Sequence, residues 1–218
     1  MLTEHSVIES ASTRSRQKLE TRQRILDSAL RLYAEQGIAS TRSSAVAEAA
    51  GVAHGTLFLH FPKQEDLIVA VIEGFGDRLC ARLHELSSRG EGLAALLDAH
   101  LAAIGEVEDF YVRLVTEASF LPEAARTSLV MIQSTVSYHL AKAVEAGLRS
   151  GELRRLPLPL LFNTWIGLVH HYLSNRELFC PGGRLIEAKG AELAAHFVSL
   201  VSNEDPAEAG SPDTGGIA

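Results

Sequence analysis

Residues 41–67 read TRSSAVAEAAGVAHGTLFLHFPKQEDL. The stretch describes a short helix, a tight turn and a second short helix, the layout of a helix-turn-helix DNA reader. The spacing meets three physical demands in order. Ala47 is small where two helix backbones cross. Gly51 tolerates positive φ at the turn, where glycine costs least. Leu57 is apolar on the inner side of the second helix. Val46, Val52 and Phe61 are further inward candidates. His54, Gly55, Thr56, Leu59 and His60 are then left to face outward. An ordinary αα-hairpin shares this pattern, so the segment alone does not separate the two.

The sequence upstream adds a third helix. Thr21 is placed to cap a run in which Ile25, Leu26, Ala29, Leu30, Leu32 and Tyr33 recur at helical spacing, ended by Gly37. Arg22, Arg24, Asp27, Arg31 and Glu35 occupy its polar face. Three helices with the third in reading position make a compact DNA-binding head.

The chain resembles the TetR family of bacterial transcriptional regulators. The resemblance rests on ILDSALRLYAEQG (25–37), Thr41, AVAEAAGV (45–52), GTLFLHF (55–61) and EDL (65–67). It covers about sixty residues of the head; beyond the head only length and helical character agree. The resemblance implies a homodimeric repressor that leaves its operator when a small molecule enters the C-terminal domain. Two departures stand out. The family usually carries Tyr at the position of Phe58, where the hydroxyl reaches a phosphate, and Phe58 has no such group. It favours Lys at the position of Gln64, which offers only a neutral hydrogen bond. Lys63 is placed to compensate. The departures keep open a second reading, a dimeric helical ligand-binding or interaction protein whose head has lost DNA recognition.

Charge is divided along the chain. The formal net charge is −7 over 218 residues, yet residues 14–64 hold eight Arg or Lys against four acids, a net of +4. The rest therefore carries −11. Such asymmetry points to nucleic-acid contact by the basic segment. Bases are expected to be read from His54, Thr56 and His60, with Gly55 and Leu59 on the same face. Arg42, Ser43, Ser44, Lys63 and Gln64 point toward phosphates. Thr13–Lys18 forms a basic arm, read as a flexible leader over residues 1–18 that can follow a phosphate backbone.

The fold class is all-α, of about nine helices: a three-helix helix-turn-helix head and a C-terminal helical ligand-binding and dimerisation domain. The DNA-binding domain spans 19–79, with its motif at 42–61; the body spans 80–202, and the Pro/Gly/acid-rich tail 203–218 reads as disordered. A fourth helix runs from Gln64 to about Arg89. Body helices follow at 91–105, 108–119, 122–149, 157–178 and 183–202, broken at Gly and Pro.

A ligand pocket between body helices would draw on Phe110, Tyr111, Leu114, Phe120, Met131, Tyr138, Phe162, Trp165 and Tyr172, each of which also suits plain core packing. Arg113 would pair an anionic ligand, or Glu117 one turn on. The last two helices form the expected dimer surface: Leu161, Thr164, Leu168, Leu193, Phe197 and Leu200, with small residues such as Gly167, Ala191 and Ala195 for close approach.

Other functions lack their chemistry. There is no nucleophile–base pair, paired carboxylate or Gly-rich phosphate loop, so an enzyme is not expected and no catalytic residue is assigned. Among nine histidines, neighbouring His170 and His171 diverge on a helix, and no HExxH or CxxC occurs. No metal or cofactor is expected. The apolar stretch 156–173 is broken by Pro157, Pro159, Asn163 and the His pair, so no membrane span is expected. Isolated Cys80 and Cys180 and an N-terminus without the apolar core of a signal sequence make the cytoplasm the expected compartment. The partners expected are a double-stranded operator, an unknown small-molecule effector and a second copy of the chain.

Overall fold

The computed structural model describes residues 4–203, with side chains from Arg14 onward. Residues 1–3 and the expected tail beyond Asn203 lie outside the described residues. Ten α-helices form, with no strand among the described residues: α1 Glu4–Gln36, α2 Ser43–Ala49, α3 His54–His60, α4 Gln64–Ser88, α5 Leu93–Glu106, α6 Glu108–Thr116, α7 Glu123–Ser150, α8 Leu158–Ser174, α9 Arg176–Phe179 and α10 Leu185–Val201. A 3₁₀ turn, Ala118–Phe120, follows α6. The chain is all-α, as its sequence indicated.

Two compact units divide the chain. The first holds residues 1–76 and 109–130; the second holds 77–108 and 131–218. The segment 109–130, read from sequence as part of the body, clusters with the head.

In the first unit, α1 turns Ile25, Ala29, Leu32 and Tyr33 inward, all buried. It starts at Glu4, so Thr21 lies inside it and caps nothing. Residues 14–24 are mostly Arg, Gln, Lys, Leu and Glu, good helix formers, so nothing stops the helix extending past its apolar stripe. Thr41, buried, donates its hydroxyl to the Gly37 carbonyl at 2.7 Å and fixes the turn into α2. α2 then ends in a double backbone closure. Val52 N–H reaches Ala47 O at 3.0 Å and Gly51 N–H reaches Glu48 O at 3.0 Å. This is a Schellman ending, and it needs the left-handed residue that Gly51 supplies at φ 62°. The fully buried Leu57 anchors α3. Asp66 accepts the Lys63 N–H at 2.9 Å, closing the start of α4. Phe75 and Tyr111 meet with ring centroids 5.5 Å apart.

In the second unit α10 packs mainly along α5. The core centres on Trp165, fully buried, whose ring lies 5.2 Å from that of Phe197. Its indole N–H donates to His100 Nδ1 at 3.0 Å. The start of α10 is held by Glu108, a buried carboxylate that accepts the Leu185 N–H at 2.8 Å and the Ile186 N–H at 2.9 Å. Arg176 stands 4.0 Å from the same carboxylate. One helix expected over 157–178 is two, α8 and the short α9, divided at Asn175.

Candidate nucleic-acid interface

α2, the Gly51 turn and α3 form a helix-turn-helix in which α3 has one anchored and one free side. Leu57 is the anchor. His54, Gly55, Phe58 and Leu59 are exposed, and Thr56 and His60 are half-buried. Leu59 is the most open, at 81%. Leu59 is the next-to-last residue of α3, and its open side chain is available for contact. Phe58 packs edge-on against His54, centroids 4.8 Å apart, and so steadies the reading face rather than the core.

The expected phosphate side divides in two. Arg42 and Ser44 are exposed, and Arg42 is the extended residue preceding α2. Ser43 is buried instead: its hydroxyl donates to Gln64 Oε1 at 3.5 Å. Gln64 in turn donates Nε2–H to the Thr41 carbonyl at 3.0 Å. The Ser43 hydroxyl is therefore spent internally. Gln64 acts first as a brace between the start of α4 and the entry to α2, with one amide hydrogen to spare. Lys63 is exposed and pairs with Glu65 at 3.0 Å. That hydrogen bond, and the charges of Glu65 and Asp66, raise its pKa, so it remains a full cation.

His60 closes α3 beside two cations. Its pKa is lowered by partial burial and then by the charges of Lys18 and Arg22. The Arg22 guanidinium lies over the Phe61 ring, 5.1 Å from its centroid. Sequence reasoning placed Arg22 only on a polar face; no local pattern marks a pairing that spans this many positions.

The bracing role of Glu117 also escaped the sequence reading. Its carboxylate accepts the Ala39 N–H at 2.9 Å, bracing the loop between α1 and α2. A Cβ at Gly37, where φ is 94°, would stand 2.7 Å from the same carboxylate. The expected Arg113–Glu117 pair is thus replaced by a side chain-to-backbone bond.

The other candidate residues are distributed over both units. Phe110, Tyr111 and Leu114 are buried and belong to the first unit, and Trp165 is buried and belongs to the second. Phe120, Met131 and Tyr138 are 79%, 64% and 58% exposed, and Phe162 is half-buried. A cleft of about 820 Å³ lies in the second unit between the starts of α5 and the ends of α7 and α10, lined by residues such as Leu93, Gly147, Leu153 and Asn203, none of them candidates. Of the dimer candidates, Leu161, Leu193 and Phe197 are buried in their own unit. Their apolar stripe serves the internal core. Thr164 and Leu200 are exposed and Leu168 half-buried; Leu160, Gly167, Ala191 and Ala195 are exposed beside them. Among the described residues no three His, Cys, Asp or Glu gather to hold a metal, and no helix is long and apolar enough to cross a membrane.

α2, the Gly51 turn and the open-faced α3 together have the build of a helix-turn-helix. Residues 25–71 match the family model described as bacterial regulatory proteins, tetR family. The HTH-type transcriptional regulator AcrR of Shigella flexneri is 48% identical over 54 residues, 25% of each chain. The HTH-type transcriptional repressor KstR2 of Rhodococcus jostii is 33% identical over 88 residues, 40% of this chain and 43% of that one. The chain thus matches less than half the length of these two relatives. The transcriptional regulator FadR of Bacillus subtilis, solved in complex with stearoyl-CoA, shares the fold with a TM-score of 0.69 at 21% identity, covering 81% of this chain and 97% of that one. Residues 25–71 are thus similar to the DNA-binding segment of the TetR family, and the whole chain shares the fold of its solved members.

Proposed function

We propose that the protein is a homodimeric transcriptional repressor that binds a palindromic operator through α3 and is released by a small molecule bound in the second unit. The observation that carries this reading is the open face of α3: His54, Thr56, Leu59 and His60 stand outward from a helix fixed by Leu57. Imidazole and hydroxyl groups can donate to or accept from base edges in a major groove, and Leu59 suits a thymine methyl. Arg42, Ser44 and Lys63 supply phosphate contacts. One α3 spans few base pairs, so specificity calls for two heads on two half-sites. The outward faces of α8 and α10, with Leu160, Thr164, Gly167, Ala191 and Ala195, are small enough for close helix approach between copies. The fold neighbour solved with stearoyl-CoA makes long-chain acyl thioesters the first effectors to try.

The test is selection from randomised duplex DNA by the purified protein, followed by sequencing. Enrichment of a palindrome supports the reading and supplies the operator for an effector screen. A folded dimer that enriches nothing at low salt overturns it, in favour of a helical ligand-binding protein with a degenerate head.

A further inference from the structure

We propose that Arg14, Lys18 and Arg22 on α1, which meets the end of α3 beside His60, form a ladder for DNA backbone phosphates that extends the footprint beyond the helix-turn-helix. The proposal rests on the DNA-binding reading above and names a contact surface within it.

The three cations follow one another at four-residue intervals, so they share one face of α1 over roughly 12 Å of helix. It is the face that continues as Ile25, Ala29 and Leu32. Those three are buried in the head, whereas Arg14, Lys18 and Arg22 are exposed. The core-facing stripe of α1 thus runs out past the core and becomes cationic. Where it leaves the core it meets the end of α3: Arg22 is held over Phe61, and the fields of Lys18 and Arg22 reach His60.

Arg16 pairs with Glu20 at 3.6 Å, on the opposite side of the helix. Among the described residues no ion pair engages Arg14, Lys18 or Arg22. Like charges at i and i+4 disfavour a helix, so the three cations repel one another. After burial, the same positive field lowers the pKa of His60. A polyanion relieves both, and duplex DNA presents one at regular spacing. Stacking on Phe61 fixes the Arg22 guanidinium in advance, which lowers the ordering cost of a phosphate contact.

The experiment uses the full chain and its selected operator. Affinity is measured across a salt series for the wild type, Lys18→Gln, Arg22→Gln, the triple variant that adds Arg14→Gln, and the control Arg16→Gln. Each lost phosphate contact is expected to flatten the slope of log affinity against log salt by about 0.9. The triple variant should lose affinity for operator and mismatched duplex alike, and Arg16→Gln should match the wild type. Native circular dichroism and melting behaviour keep the comparison fair. A triple variant whose slope equals that of the wild type, while the wild type still selects its operator, overturns the ladder alone. If Arg22→Gln lowers the melting temperature without changing the slope, Arg22 only packs against Phe61 and is not a rung. A wild-type protein that holds no duplex at low salt overturns the ladder and the DNA-binding reading together.

Discussion

Gly51 carries the turn of the motif at φ 62°, and a Cβ added there would meet nothing within 4 Å. The cost of Gly51→Ala is therefore backbone strain alone. It is expected to be about 1–2 kcal/mol of unfolding free energy, read by chemical denaturation. An unchanged midpoint would show that the turn relaxes. Gln64 poses a different question. Its amide is committed to Thr41 and Ser43, so Gln64→Lys exchanges a brace for a charge. The operator salt slope should steepen by about 0.9, with a stability loss near 1 kcal/mol for the lost hydrogen bond. A slope that does not move would place residue 64 away from phosphate. Ala47, Gly51 and Leu57 were legible from sequence because each demand acts within one turn of helix. The duties of Ser43, Gln64 and Glu117 were not, because their partners lie 21, 23 and 78 positions away.

At the level of helices, breakers made most boundaries legible. Gln64, Pro122, Pro157 and the 181–183 turn fall within two residues of the observed ends of α4, α7, α8 and α10. The start of α1 was not legible, since its first half has no apolar stripe and no stop signal. The division between α8 and α9 was missed because Asn175 is a weak breaker inside an apolar context. The start of α10 depends on a distant group, Glu108, whose two oxygens each accept one N–H. Glu108→Gln keeps the shape but leaves one acceptor and removes the charge. One N–H of α10 is then unpaired in a buried place. We expect a loss of about 1–3 kcal/mol and faster amide exchange in the first turn of α10. Unaltered exchange there would show that Glu108 is dispensable as a cap.

Over the whole molecule, acid should act through the buried imidazoles. Burial, then the charge of His170, lowers the His100 pKa to about 3; burial lowers that of His170 to about 4. Both are neutral in the fold. Below about pH 6.5 the unfolded chain takes up protons that the folded chain refuses. Stability therefore falls as pH drops from 6.5 toward 4, by at most about 1.4 kcal/mol per pH unit for each group. The direct check is nitrogen NMR of His100: Nδ1, which accepts the Trp165 N–H, should stay unprotonated to pH 5. Protonation near pH 6.5 would mean that the pair opens. A second whole-molecule test concerns assembly. Ala191 is exposed on α10, so Ala191→Arg should leave the fold intact, yield monomers in sedimentation and weaken operator binding at least tenfold. A dimer that persists would move the interface elsewhere.

Trp165 is the single tryptophan of the chain and lies in the second unit, between His100 and Phe197. Its emission therefore watches that unit alone, while circular dichroism sees helices in both. Overlaying the two melting curves asks whether the head and the body come apart in one step or two. Because the indole donates to an imidazole, its brightness and colour also register any disturbance of that hydrogen bond. The protein carries a built-in optical probe, and titrating candidate effectors against it requires no added label.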